Sequence, residues 1–125
     1  MQSFAGIRPC GIYGGSPQIE RLIAIKQKMT FVGYGLNPDA DDRNAAIKRT
    51  APIPIGQSDA RTFGYEASGE RGSSTCNGDS GGPALIPSGT TFEIIGVTSY
   101  GAKDCTKGRS MRTDAYADWI KNNSK

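Results

Sequence analysis

Thr75-Cys76-Asn77-Gly78-Asp79-Ser80-Gly81-Gly82-Pro83 is the most informative stretch of this 125-residue chain, and the apolar Ala84-Leu85-Ile86 follows it directly. Glycines stand on both sides of one serine. A loop of this kind lets the backbone turn so that the N–H groups of Gly78 and Ser80 converge near the Ser80 hydroxyl. Such a donor pair stabilises the negative oxygen that develops when a nucleophile attacks a carbonyl, commonly the largest electrostatic contribution in acyl transfer. The bare pattern Gly-x-Ser-Gly is more often a plain glycine-rich turn, so the longer string and its surroundings have to carry the assignment.

Working outward, short runs rich in β-branched and aromatic residues read as strands at 29–34, 45–55, 61–66, 83–86, 92–100 and 108–113. Turn-forming residues separate them: Asn37-Pro38-Asp39, Gly56-Gln57-Ser58-Asp59, Ser68-Gly69-Glu70 and Pro87-Ser88-Gly89. Six strands at this spacing predict an antiparallel barrel or sandwich. At the end of the chain Ala115, Tyr116, Trp119 and Ile120 fall on one helical face. They predict a terminal helix, capped by Thr113 or Asp114, with Lys121 near its negative end and its apolar face docked on the barrel. Residues 1–17 are rich in Gly, Pro and Ser and read as a linker or wrapping arm. The apolar residues at 19–25 fit a helix or a short strand equally. The expected organisation is therefore an arm over 1–28 and one barrel domain over 29–125.

Composition narrows the function classes. Seventeen glycines and seven prolines suit a strand-and-turn protein, and the net charge of +3 comes from 15 basic and 12 acidic residues spread along the chain, so no nucleic-acid partner is expected. No run of 18 apolar residues could span a bilayer, and the first residues lack the pattern of a signal peptide. A secretion signal, if the natural protein has one, is expected upstream of Met1. Cys10, Cys76 and Cys105 form no Cys-x-x-Cys pair and there is no histidine, so neither a structural metal nor another cofactor is expected. An odd cysteine, expected to be Cys10, suggests a bonding partner outside this segment. Asp39, Asp41 and Asp42 resemble the start of a calcium loop, but Asn44 and Thr50 stand where that loop needs Gly and Glu. Gly33-Tyr34-Gly35 is no dinucleotide fingerprint, because Pro38 takes the place of the third glycine. Asn122-Asn123-Ser124 has the pattern of a glycosylation acceptor.

The unbroken Gly78-Asp79-Ser80-Gly81-Gly82-Pro83 resembles the nucleophile motif of the chymotrypsin/trypsin family of serine endopeptidases (peptidase S1). Ser99-Tyr100-Gly101 is similar to the family's Ser-Trp-Gly segment, Asp118-Trp119-Ile120-Lys121 to its terminal helix, and Phe31-Val32-Gly33-Tyr34-Gly35 to its Val-x-Gly-Trp-Gly. The likeness covers about residues 29–122 and implies the C-terminal barrel of the family, a six-stranded antiparallel Greek-key structure. It implies Ser80 as nucleophile, the N–H groups of Gly78 and Ser80 as oxyanion hole, and Asp79 as partner of a new N-terminus made by zymogen cleavage. It also implies a primary pocket formed by Ser74, Thr75, Cys76 and Asn77, by Ser99, Tyr100 and Gly101, and by Gly108. Cys76 and Cys105 are the implied disulfide. With Ser74 at the floor and two glycines beside it, a large apolar or aromatic P1 residue is the favoured guest; Asp104, if it points inward, would favour a basic one.

The family mechanism needs a histidine base and an aspartate that orients it, and the handed-down positions lie in the N-terminal barrel. With no histidine in the chain, Ser80 lacks that base. The expectation is a secreted, extracellular or periplasmic endopeptidase acting on polypeptides, to which this chain brings the nucleophile and a missing N-terminal barrel brings the base. Alone the chain is expected to be inactive and to form a homodimer through the surface that the missing barrel would cover. The alternative is a non-catalytic homologue that serves as a binding or structural module.

Overall fold

The computed structural model describes residues 5–36, 47–67 and 74–124. The acidic cluster at 39–42, the turns at 37–39 and 68–70, and the first two residues of the expected strand 45–55 lie outside the described residues. The chain forms β1 (Gly11–Ile12), α1 (Ile19–Ala24), β2 (Lys28–Gly33), β3 (Arg49–Pro54), β4 (Thr62–Glu66), β5 (Pro83–Ser88), β6 (Thr91–Gly101), β7 (Lys107–Arg112), a 3₁₀ turn (Asp114–Tyr116) and α2 (Ala117–Asn123).

Six strands form one antiparallel sheet in the order β3-β2-β5-β6-β7-β4, as the sequence predicts. The sheet curls until its edges meet, because the residues after β3 bond to β4 through Gly56 N–H to Gly64 O (2.8 Å) and Gly64 N–H to Gln57 O (2.7 Å). A Cβ on Gly56 would lie 2.6 Å from the Gly64 carbonyl oxygen, so the seam requires glycine. Alternate strand residues face inward. Met29, Phe31, Ile53, Phe63, Tyr65, Ala84, Ile86 and Ile95 form the core.

Residues 11–24 belong to that core more closely than a linker composition suggests. Gly11 and Ile12 pair in parallel with β6, a seventh strand too short and too glycine-rich to show a period. Tyr13 is fully buried, Ile19 and Leu22 of α1 are buried with it, and Tyr13 donates its hydroxyl to the Pro17 carbonyl. Burial, with the Asp114 charge adding to it, pushes the Tyr13 phenol up to about 12.

The terminal helix is present, but its docking differs from expectation. None of the α2 residues is buried, and Trp119 is 65% exposed. Nor does Thr113 cap it: its hydroxyl lies 2.8 Å from Ile94 O and 3.1 Å from Tyr13 O and Ile95 O, and ties β1 to β6 instead. Asp114 is engaged by Arg112 through a two-point ion pair at 3.0 and 2.7 Å.

Asp59 organises the turn before β4. Its Oδ1 accepts the N–H of Arg61 and Thr62, and Oδ2 accepts the Thr62 hydroxyl and Arg109 Nη2. These bonds, the backbone ones first, hold the carboxyl at about 2. A pKa lowered by folding stabilises the fold above the unfolded-state value, and that contribution is lost as pH falls through the folded one. Unfolding titrations of the wild type are therefore expected to lose stability from about pH 4 down to about 2, and Asp59→Asn to flatten that part of the curve. An unchanged acid slope in Asp59→Asn would count against the assignment.

Candidate active site

The loop between β4 and β5 is built around Asp79. One carboxylate oxygen accepts the N–H of Gly35 and the other the N–H of Cys76, each at 2.9 Å. Leu36 N–H donates to Asn77 O at 2.8 Å, so the segment after β2 and the serine loop lie side by side. The Gly-x-Gly at the end of β2 has a steric cause. A Cβ on Gly33 would stand 1.9 Å from Asp79 Oδ1, and one on Gly35 would stand 2.5 Å from the carboxyl carbon. The sequence marks Gly33 and Gly35 only as part of a likeness; their packing on Asp79 is a finding of the structure.

Gly78 and Gly81 adopt φ of +97° and +83°, a region that favours glycine, and between them Ser80 is exposed. Gly81 N–H donates to Thr98 O (2.8 Å) and Thr98 N–H to Gly82 O (2.9 Å), which fixes the loop on β6. Among the described residues no carbonyl accepts the N–H of Gly78 or of Ser80.

Cys76 and Cys105 form a disulfide that joins this loop to the β6–β7 turn, and Cys10 is a free, exposed thiol. Beyond the loop, Gly101 and Gly108 are directly paired between β6 and β7, and a register shift between Thr98 and Tyr100 sets Ser99 out of the ladder. Tyr100 is 58% exposed and Gly108 is buried. Thr75 Oγ1 shares a 2.7 Å hydrogen bond with the Tyr65 phenol, a partner that sequence reasoning missed because Tyr65 alternates as an ordinary core residue. The Ser74 hydroxyl is buried and has no hydrogen-bond partner among the described residues. Asp104 is exposed in the β6–β7 turn, where Oδ1 accepts the N–H and hydroxyl of Thr106, and these bonds lower its pKa. A surface groove of 880 Å³ includes Tyr65, Gly101 and Gly108 in its wall but none of residues 74–80, so it is separate from the serine loop.

A curled antiparallel barrel that displays one serine on a glycine loop, disulfide-linked to the neighbouring hairpin, defines a domain of the serine-peptidase type. The family model Trypsin matches residues 14–120. The chain belongs to the trypsin-like peptidase family S1. It is 30% identical over 121 residues to phenoloxidase-activating factor 1 of Holotrichia diomphalia, covering 86% of this chain and 33% of that protein. It is 35% identical over 120 residues to phenoloxidase-activating enzyme of Bombyx mori, with 78% and 27% covered. A shorter match of 63 residues, 49% identical, joins it to Spaetzle-processing enzyme of Drosophila melanogaster, covering 44% of this chain and 16% of that protein. The chain thus spans a third or less of the length of these relatives.

Proposed function

We propose that the chain supplies the nucleophile, the oxyanion hole and the primary pocket of a serine endopeptidase that cleaves polypeptides through an acyl-enzyme. The observation that carries this is the Asp79-centred loop, which holds Ser80 exposed between two glycines of positive φ. In this reading Ser80 Oγ attacks the scissile carbonyl, and the N–H groups of Gly78 and Ser80 hold the developing oxyanion. Ser74–Asn77, Ser99–Gly101 and Gly108 surround the side chain that precedes the cleaved bond. Asp79 serves as partner of an N-terminus made by cleavage only after exchanging at least one of its two backbone donors for that ammonium. A histidine-bearing barrel outside this sequence brings the base, and a secreted setting suits the disulfide.

Labelling with a fluorophosphonate tests the chemistry. The isolated chain is expected to remain unlabelled, since its 125 residues include no histidine. The chain complemented by the histidine-bearing half is expected to label at Ser80, and Ser80→Ala to abolish it. Protease-like labelling of the isolated chain, or none in the complemented protein, would refute the proposal. The lack of histidine also favours a second reading, a non-catalytic homologue used for binding, which the second of these results would support.

Association is proposed on the same basis. Val97, Tyr100 and Trp119 are large apolar side chains left 39%, 58% and 65% exposed. Because Tyr13, Ile19 and Leu22 fill their own barrel, a two-fold dimer would form through such exposed groups and not by exchange of residues 1–28. Sedimentation equilibrium at micromolar concentration is expected to give the dimer mass; monomer mass at every concentration would exclude it.

A further inference from the structure

We propose that Tyr65, and not Ser74, forms the floor of the pocket beside Ser80, so that the pocket takes a short uncharged side chain and excludes aromatic and cationic ones. This rests on the pocket assignment made under Proposed function.

Tyr65 on β4 is paired with Gly108 on β7, which is paired in turn with Gly101 on β6. From that row its phenol reaches Thr75 Oγ1 at 2.7 Å, spanning from the strands to the serine loop. The room that two glycines promise in the sequence is already occupied. A Cβ on Gly108 would lie 2.5 Å from the Tyr65 hydroxyl oxygen and 2.7 Å from Cζ. A Cβ on Gly101 would lie 2.6 Å from Lys107 O, so that glycine serves the close approach of two strands. The Phe31 ring, with its centroid 4.5 Å away, backs the Tyr65 ring and keeps it in place.

Ser74 is cut off behind this barrier. Its hydroxyl has no accessible surface to offer a substrate, although as the floor residue it would have to be reached. Nothing anionic faces a basic guest. Asp104 is turned to Thr106 in an exposed turn, and Asp79 is committed to the N–H groups of Gly35 and Cys76. Burial raises the Tyr65 pKa, which keeps the phenol protonated and able to donate. The hydroxyl pair of Tyr65 and Thr75 therefore ends the pocket with a neutral, hydrogen-bonding surface.

The test needs no catalysis. The isotopically labelled chain is titrated with isobutyramide, indole and benzamidine while the backbone amides of Thr75, Gly101 and Gly108 are followed by NMR. Isobutyramide is expected to shift them saturably, and indole and benzamidine to bind about tenfold or more weakly, a discrimination within the range of a shape-restricted pocket. Tyr65→Leu keeps an apolar side chain against Phe31 and removes the end of the ring; it is expected to bind indole about tenfold better than the wild type. Should that variant fail to fold, Tyr65→Phe keeps the ring. It is expected still to exclude indole and to bind isobutyramide roughly threefold less tightly for want of the hydroxyl. Indole or benzamidine binding to the wild type as tightly as isobutyramide, or no shift with any probe, would overturn the proposal. Either result leaves the role of Ser80 standing, because labelling reports on that separately.

Discussion

Asp79→Ala is expected to lower the stability of the chain by about 3 kcal/mol, taking two charge-assisted hydrogen bonds at the lower end of their usual range for a half-buried group. Two effects act together. The N–H groups of Gly35 and Cys76 lose their acceptor, and the space that obliges residues 33 and 35 to be glycine is left unfilled. Asp79→Asn keeps one acceptor oxygen and is expected to lose about half as much. Urea unfolding midpoints measure both. An Asp79→Ala variant within about 0.5 kcal/mol of wild type, the usual range for an inconsequential surface change, would show that the carboxylate does not organise the loop.

Opening the disulfide between Cys76 and Cys105 is expected to cost about 3–4 kcal/mol on the chain-entropy account, for a sequence separation of 29. The comparison is best made as Cys76→Ser/Cys105→Ser against the parent, both carrying Cys10→Ser so that the exposed thiol cannot exchange. The loss acts mainly by freeing the unfolded chain, and it also releases the serine loop from the β6–β7 turn. A loss below about 1 kcal/mol would mean that the native contacts hold the loop without the bond.

The strands were legible because their signals are local: period-two burial in β2 and β4, and turn residues between them. The serine loop was legible because Gly78 and Gly81 flank Ser80 for a backbone reason that the structure displays as positive φ. What the sequence hid depends on contacts between distant residues. β1 is two residues long and takes its conformation from β6, so no window around Gly11 could have signalled it. The apolar face around Trp119 has helical spacing, and spacing does not say whether anything covers it. Gly101 and Gly108 look like open space in one dimension, yet Lys107 and Tyr65 stand against them. Tyr65 was itself concealed by fitting its strand so well. Pocket residues inferred from position in a motif were thus named without the side chain that separates Ser74 from them.

The three carbonyls around the Thr113 hydroxyl bear on the order in which the chain acquires its structure. One of them belongs to Tyr13, 100 residues earlier, and β6 supplies the other two. As the polypeptide leaves the ribosome, Tyr13 emerges first and the residues that enclose it emerge nearly last. Contacts of such separation form late, after the entropy of closing the intervening loop has been met. For most of its synthesis the nascent chain therefore carries an unhoused tyrosine and an unpaired Gly11–Ile12 segment, surfaces of the kind on which chaperones act. A chain that stops short of residue 113 would leave this first segment without its last anchor.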